Sequence, residues 1–402
     1  MICWTISLAG QRPSCTARPS SKRFSVRFKI LVIPFARRHG ENVQLAGRDP
    51  RRFQTMMGKL RDQMVLAEGL GYQGFCLTEQ HMQVEGIECT TNPLFWNLYI
   101  AQHTKNFLVG QLGMNLTAMN PIVLAENIAM LDHMTGGRVF AGFSRGNTPR
   151  WTATMGQHLN LTSAESDKSE ADQRNRRALY ENWRLVKALW TEDLTSFEGE
   201  FWNMPLPVKW DFNPTRDWGG WGAVDAQGIL RRSGIVPKPL QDPYPAIYAP
   251  FSYSMETARF WAAEGAKMVS FVSADKEEFM PVILENCLRA AHAAGRTSTT
   301  NSDVLALGAH LLMGRTPQKA ARYQEMFREL FAHAYDAPPY HVPTGRIWGG
   351  SRQETLDSVM KLAERYGIDE FFLWHHVGFF GDDLEQEALV EFSEAVIRRV
   401  NN

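Results

Sequence analysis

The sequence predicts an α/β fold, a (β/α)8 TIM barrel, with an insertion before the fifth strand. Apolar runs of strand length alternate with amphipathic helical stretches, which is the pattern of repeated βα units. The segment 110–146 reads as a strand, a polar loop, a helix that begins at a proline, a Gly-Gly turn and a second strand. Such a βαβ unit makes parallel strands. The 402 residues would fill one large barrel or two smaller domains, and eight units in one direction favour the barrel.

Each repeat can be placed on the chain by its apolar pattern. The predicted strands cover residues 28–34, 74–78, 107–112, 139–143, 246–249, 268–272, 303–313 and 370–374. The predicted helices include 53–70, 94–103, 121–134, 170–190, 254–264 and 383–400, and Asn120 followed by Pro121 predicts the start of the third. The insertion, residues 201–244, contains Trp202, Trp210, Trp218 and Trp221. These tryptophans form a satellite hydrophobic cluster or wall a substrate pocket, and the cluster is favoured for any single one.

The composition excludes several classes of protein. The formal net charge is zero, so no nucleic-acid or membrane surface is expected, and no run of about 18 apolar residues predicts a membrane span. The five cysteines are scattered without a CxxC spacing, which argues against zinc and disulfide frameworks and favours a reducing cytoplasm. Residues 1–27 belong to a basic stretch without acidic residues, which we interpret as a disordered extension or a misassigned start. The barrel domain is expected over 28–402.

Polar groups suited to an anion follow strands or lie on helices. They are Ser144, Arg145, Arg177, Ser254 and Thr257. Parallel α/β folds bind ligands at the C-terminal ends of their strands. A helix N-terminus offers free N–H groups and a positive dipole end, and guanidinium groups add charge-assisted hydrogen bonds. For each residue alone, an N-cap or a surface arginine is the simpler interpretation.

Taken together, these residues resemble the bacterial luciferase-like flavin-dependent monooxygenases. The resemblance covers most of residues 28–402 and includes LDHMTGGR at 131–138 and IVPKPLQDPYP at 235–245. It implies that reduced FMN lies across the C-terminal face of the barrel. The phosphate ligands that it implies are Arg145, Arg177, Ser254 and Thr257.

The resemblance also implies how the flavin ring is held. Family members carry a non-proline cis peptide bond after the third strand, which here would be Leu112–Gly113, and the ring packs against it. Asn115 and Thr117 follow that bond and could hydrogen-bond to the ring. Ser144 stands where some luciferases have a reactive cysteine.

The acid–base position departs from the family pattern. The family often has Glu-His-His after the second strand, with the first histidine catalytic, whereas this chain has Gln80 there, followed by His81. Glutamine cannot exchange protons near neutral pH. The proton chemistry would then depend on His81 or on His375 or His376 after the eighth strand, of which at most one faces the site. No suitably spaced carboxylate completes a metal triad, so no metal is expected.

The resemblance implies a two-component monooxygenase, in which reduced FMN and dioxygen oxygenate a small organic substrate. The GxGxxG at 69–74 follows a helix and precedes a strand, the reverse of the dinucleotide-binding context, so a separate flavin reductase is expected to supply the FMN. The family further implies a homodimer. A lid is expected over residues 335–350, which are rich in Pro, Gly and Tyr.

The sequence is also compatible with three alternatives. A deazaflavin-dependent oxidoreductase on the same barrel would place a phosphate at similar positions. A non-catalytic flavin-binding subunit would fit an intact phosphate site combined with Gln80. A barrel hydrolase acting on a sugar phosphate ranks last, because neither a paired carboxylate nor a nucleophile elbow is evident.

Overall fold

The computed structural model describes residues 25–250, 254–271, 274–337, 342 and 344–401, which form a closed parallel barrel. Its strands are β1 (Arg27–Pro34), β2 (Gly74–Leu77), β3 (Leu108–Gln111), β4 (Val139–Ser144), β5 (Ala246–Pro250), β6 (Lys267–Ser270), β7 (Leu305–Leu311) and β8 (Glu370–Val377). Each strand pairs in parallel with the next, and β8 pairs with β1. The predicted (β/α)8 fold is confirmed.

Helices surround the barrel. They are α1 (Pro50–Gly69), α2 (Pro93–Ala101), α3 (Pro121–Thr135), α4 (Glu170–Thr191), α5 (Met255–Glu264), α6 (Met280–Ala293), α7 (Arg352–Tyr366) and α8 (Asp382–Phe392). Beyond α8 the chain continues through a π-helical turn, Ser393–Ile397. Further helices outside this repeat are Pro149–Gly156, Asn213–Trp218, Asn301–Val304 and Pro317–Ala334. Because helices cover the outside of the sheet, nearly all strand residues are buried on both faces.

The start of α3 follows from two adjacent residues. The side chain of Asn120 accepts hydrogen bonds from the backbone N–H groups of Ile122 and Val123, at 2.9 and 3.3 Å. Pro121 occupies the first helical position, where a missing N–H costs nothing. The N-cap predicted from the sequence is confirmed, and it fixes where the loop after β3 ends.

The insertion lies between α4 and β5, as predicted. It contains an antiparallel pair, Phe197–Glu198 with Asn203–Met204, and the helix Asn213–Trp218. Trp218 and Trp221 are 85% and 95% exposed. These two tryptophans therefore neither pack in a hydrophobic cluster nor line a pocket, contrary to both expectations, because solvent surrounds their rings.

The helix Pro317–Ala334, between β7 and α7, was not predicted. Its buried residues recur at helical spacing and end at Phe327, Leu330 and Phe331. Phe327 and Phe331 pack on the ring of His310, with centroids 4.7 and 5.6 Å away. The helix thereby carries Tyr335 to the C-terminal end of the barrel, where its ring meets Trp374. Residues 338–341 and 343 of the predicted lid lie outside the described residues.

The first strand begins close to the predicted start of the barrel domain. The structure begins β1 at Arg27, one residue before the predicted boundary, and residues 1–24 lie outside the described residues. The predicted N-terminal extension therefore stays a prediction. None of the helices in the described residues combines the length and the hydrophobicity that a membrane span requires.

An ionic cluster is buried at the N-terminal end of the barrel. The carboxylate of Glu370 forms ion pairs with Lys29 and with Lys267, the latter at 2.6 Å. The hydroxyl of Tyr248 donates a hydrogen bond to the same carboxylate at 3.0 Å. Glu370 is fully buried, so this cluster contributes to stability far from the strand ends where ligands bind.

We predict that acid destabilises the fold, because three histidines are buried in it. Burial lowers the pKa of His310 and of His375 to about 3 and lowers the pKa of His376 well below its ordinary value. The folded state therefore holds them neutral, whereas the unfolded chain protonates them below about pH 6.5. Stability is fully present above pH 6.5 and falls by about 1.4 kcal/mol per pH unit per histidine as the pH drops towards 3.

Chemical unfolding at pH 7 and pH 5 measures this loss. The variant His375→Gln should reduce the pH slope by the contribution of one histidine. An unfolding free energy that does not change between the two pH values would contradict the neutral state of these side chains.

Candidate active site

A cavity of about 410 Å³ opens at the C-terminal ends of the strands. Loops after β2, β3 and β4 and the start of α5 contribute to its wall. Aromatic side chains line much of it, namely Phe143, Trp151, Trp261, Tyr335 and Trp374. We call this space the central cavity. Its position, size and largely apolar wall are typical of a small-molecule site.

The predicted cis peptide bond is present at Leu112–Gly113, and both residues line the central cavity. A Cβ added at Gly113 would lie 2.9–3.0 Å from the backbone of Phe143, so a side chain would not fit without a shift. Ser144 also lines the cavity, and its hydroxyl lies 3.3 Å from the carbonyl oxygen of Gly113, to which it donates. These residues form one side of the cavity.

Asn115 and Thr117 do not reach the central cavity, contrary to the prediction. The amide of Asn115 donates to Thr152 at 3.1 Å and accepts from the hydroxyl of Thr117 at 2.8 Å. The Thr117 hydroxyl also lies 3.0 Å from the carbonyl oxygen of Arg145. Both side chains are buried and committed to these partners, so they hold the loops after β3 and β4 together.

We use the name anion cluster for Arg145, Arg176, Ser254 and Thr257. Its second arginine is Arg176, not the predicted Arg177. Arg176 is buried, and one of its terminal nitrogens, Nη1, donates to the hydroxyl of Ser254 at 3.0 Å and to that of Thr257 at 2.8 Å. Arg177 points outward and forms ion pairs with Glu170 and Glu200, at 2.8 and 2.9 Å. One residue along a helix turns the side chain by about 100°, which separates the two positions.

The sequence did contain a signal for this choice. Apolar residues of α4 recur at Leu179, Trp183, Val186 and Trp190, all of which are buried. Position 176 continues this three- and four-residue spacing, and position 177 does not. The pattern therefore places Arg176 on the face that packs against the barrel.

The anion cluster carries an excess of buried positive charge. Arg145 donates to Asp172 at 2.9 Å, and Arg176 lies 3.6 Å from the other oxygen of the same carboxylate. Two guanidinium groups thus share one buried acid, while Glu256, 3.5 Å from Arg176, is largely exposed. Burial, followed by the charge of Arg176, lowers the pKa of Arg145.

Further features of the cluster suit an anion. The Nε atom of Arg176 is buried and makes no hydrogen bond among the described residues. Ser254 caps α5, whose N-terminus presents free N–H groups and the positive end of the helix dipole. Thr257 and Arg145 also line the central cavity, so an anion held here would adjoin that space.

The residues predicted to handle protons take three different positions. Gln80 lines the central cavity, and its side-chain oxygen accepts from the hydroxyl of Thr148 at 3.2 Å and from the indole of Trp151 at 3.1 Å. His81 does not line it, and its Nε2 atom lies 3.0 Å from a carboxylate oxygen of Glu79. Gln80 therefore faces the cavity, while His81 lies behind the wall.

His375 is not a cavity residue, so its assignment as a catalytic candidate was wrong. Its Nε2 atom lies 2.7 Å from the side-chain oxygen of Gln63 on α1, in the layer between barrel and helices. The neighbouring Trp374 lines the central cavity instead. Adjacent strand residues point to opposite faces, and because both faces of β8 are buried the sequence pattern could not distinguish them.

Several cavity residues were missed by sequence reasoning. Trp151 lies on the helix Pro149–Gly156, which was not predicted, and Tyr335 follows the unpredicted helix after β7. Glu88 lies on the loop after β2 and carries a carboxyl group into the wall. None of these residues belongs to a local motif, so only the folded chain brings them together.

Most of the chain matches a known protein family. A family model described as luciferase-like monooxygenase matches residues 39–347. The chain is 29% identical over 198 residues to the F420-dependent glucose-6-phosphate dehydrogenase of Kineococcus radiotolerans. That match spans 49% of the chain and 55% of the dehydrogenase, and other curated relatives are covered to only 28–29% of their length.

Solved structures share the whole fold at low identity. Monooxygenase RslO1 from Streptomyces bottropensis has a TM-score of 0.65 and 17% identity, with 93% of this chain and 99% of that one covered. The oxygenating constituent of 3,6-diketocamphane monooxygenase from Pseudomonas putida, in complex with FMN, has a TM-score of 0.61 and 17% identity, with 93% and 98% covered.

Proposed function

Because the chain belongs to the luciferase-like monooxygenase family, we propose that it is a flavin-dependent monooxygenase that uses reduced FMN and dioxygen to oxygenate a small organic substrate. One observation carries the proposal: two buried arginines, Arg145 and Arg176, share a single buried carboxylate beside the central cavity. A phosphate would balance this charge and accept hydrogen bonds from the guanidinium groups.

The residues of the anion cluster fit the phosphate of FMN. The Nε of Arg176, which makes no hydrogen bond among the described residues although it lies 3.5 Å from Glu256, is a donor that a phosphate can use. The hydroxyls of Ser254 and Thr257 are further donors. Bound reduced FMN would supply the electrons for the activation of dioxygen. Arg145, on the loop after β4, would hold the phosphate from the cavity side.

The chain itself would position reactants and exclude water. A planar ring would pack against the cis peptide bond between Leu112 and Gly113, because both residues line the central cavity. The rings of Trp151, Trp261 and Trp374 form apolar walls that keep water from the reacting centre. Because Gln80 cannot exchange protons, its role here is to hold the loop after β4 through Thr148 and Trp151.

Two partners complete the proposal. No dinucleotide-binding motif is present in its required context, so we assign the reduction of FMN to a separate flavin reductase. We also propose a homodimer, supported by the exposed apolar side chains of Phe95 on α2 and of Met130 and Met134 on α3. These helices pack side by side, and an interface there would cover their exposed side chains.

Cofactor use gives the direct test of this function. The protein should bind reduced FMN and accelerate dioxygen consumption above that of free reduced FMN. Under anaerobic conditions it should not reduce deazaflavin F420 with alcohols or sugar phosphates as donors. Deazaflavin reduction without any effect on FMN oxidation would instead assign the chain to the deazaflavin-dependent oxidoreductases.

That second candidate has a specific observation in its favour, the 29% identity to an F420-dependent dehydrogenase. A third candidate, a non-catalytic flavin-binding subunit, is motivated by Gln80. The variant Gln80→His would separate it from the monooxygenase: a large gain of turnover would favour the subunit, and turnover by the unmodified chain would exclude it.

A further inference from the structure

The loop between β2 and α2 carries a buried acid that the proposed function does not use. Glu88 is only 8% exposed and lines the central cavity. Among the described residues its carboxyl group forms no ion pair within 4.0 Å, although acids this deeply buried are usually paired. A deeply placed carboxyl group without a cationic partner is therefore available to a ligand.

The backbone at Glu88 is fixed in an uncommon conformation. Its φ of 47° lies in the left-handed region, which non-glycine residues rarely adopt. The N–H of the next residue, Cys89, donates to the carbonyl oxygen of Pro34 at 2.9 Å, and the N–H of Thr90 donates to the carbonyl oxygen of Glu88 at 2.7 Å. Strained residues held in this way cluster at binding sites.

The surroundings of the carboxyl group shift its pKa upward. Burial raises the pKa of Glu88, and the neighbouring hydroxyl of Tyr335 opposes the shift. The other ionisable groups of the same loop are Glu79 and His81, whose side chains lie 3.0 Å apart, Glu85, and the buried thiol of Cys89. A neutral carboxyl group can donate a hydrogen bond, which a carboxylate cannot.

We infer that Glu88 is a specificity-determining residue that donates a hydrogen bond to a neutral carbonyl oxygen of the substrate. The inference rests on the proposed function for the identity of the site. Tyr335 links the acid to the aromatic wall, because its ring lies 5.8 Å from that of Trp374. The indole N–H of Trp374 has no hydrogen-bond partner among the described residues and is a second donor in this wall.

The same arrangement disfavours an anionic substrate. Among the described residues that line the central cavity, Arg145 is the only arginine. It belongs to the anion cluster. A substrate carboxylate beside Glu88 would lose its hydration and would lie next to a second acid. A neutral, largely apolar molecule with one carbonyl group would satisfy both the aromatic walls and the acid.

Acetophenone, with benzoate as the anionic counterpart, provides a matched pair of probes. Binding would be followed by tryptophan fluorescence, and the carbonyl stretch of bound acetophenone by infrared difference spectroscopy. Glu88→Gln keeps a hydrogen-bond donor at this position. Glu88→Met keeps the length of the side chain but removes the donor. Both variants retain the same backbone strain, which makes them a matched comparison.

The unmodified chain should bind acetophenone in preference to benzoate, with the carbonyl band shifted to lower frequency. Glu88→Gln should keep the shift, whereas Glu88→Met should lose it and bind about three- to tenfold more weakly. An unchanged shift in Glu88→Met, preference for benzoate, or no binding of acetophenone by the unmodified chain would overturn the inference.

Titration with oxidised FMN separates this inference from the proposed function. Both variants should keep the preference of the unmodified chain for FMN over riboflavin, because Glu88 is not part of the anion cluster that would hold the phosphate. If the unmodified chain bound no FMN but still shifted the carbonyl band through Glu88, the flavin assignment would fail and the assignment of Glu88 would stand.

Discussion

Replacing Arg176 by alanine is expected to weaken FMN binding by about ten- to 150-fold. The substitution removes a charged hydrogen-bond donor, worth roughly 1.5–3 kcal/mol. The buried carboxylate of Asp172 keeps its partner Arg145 at 2.9 Å, so the fold should survive the change. Fluorescence titration with oxidised FMN measures the loss.

Arg177→Ala is the matched control for this experiment. It removes an arginine from the adjacent position, where the side chain is exposed and forms ion pairs with Glu170 and Glu200. Exposed ion pairs contribute about 0–1 kcal/mol to stability, and this one does not touch the cavity. Equal losses of FMN affinity in the two variants would contradict the assignment of Arg176.

Replacing Glu370 by alanine is expected to cost about 3–5 kcal/mol of folding free energy, because it leaves buried ammonium groups unpaired. The carboxylate is completely buried and contacts both Lys29 and Lys267 as well as the hydroxyl of Tyr248. Chemical unfolding at pH 7 would measure the loss. The cluster lies at the opposite end of the barrel from the central cavity, so FMN affinity of the folded variant should not change.

An exposed ion pair supplies the control. Glu285 pairs with Arg289 one turn away on α6, and both side chains are about two-thirds exposed or more. Glu285→Ala should change the unfolding free energy by no more than about 0.5 kcal/mol. A loss below about 1 kcal/mol for Glu370→Ala would show that the lysines find other partners or solvent when the acid is absent.

The fold could be predicted from the sequence because its signals are local and repeated. Every barrel strand overlaps its predicted range, and the N-cap at Asn120 fixed the start of α3. The helix Pro317–Ala334 was missed although its apolar residues recur at helical spacing. It is an additional helix between β7 and α7. We expected one helix after each strand and therefore did not predict a second one there.

The structure brings predicted site residues together only where a motif fixed both the residue and the direction of its side chain. Arg145, Ser254 and Thr257 follow strand ends or begin a helix, and the structure brings all three to the anion cluster or the cavity. The predictions for Arg177 and His375 were wrong because the direction of the side chain decides whether each residue reaches the site. On a helix a shift of one residue turns the side chain by 100°, and on a strand it reverses the face.

Other residues of the site depend on contacts between distant parts of the chain. Glu88 and Tyr335 are far apart in the sequence, yet both line the central cavity. Trp374 reaches the same wall from the last strand. No spacing rule connects such residues before the barrel has closed.

The most direct measurement compares the affinities of FMN and riboflavin, which differ only by the phosphate. The unmodified chain should bind FMN at least about tenfold more tightly than riboflavin, since the phosphate would engage Arg145 and Arg176 through charged hydrogen bonds. In Arg176→Ala the difference should shrink while riboflavin affinity stays the same. Equal affinities of the unmodified chain for the two flavins would contradict a phosphate site at this cluster.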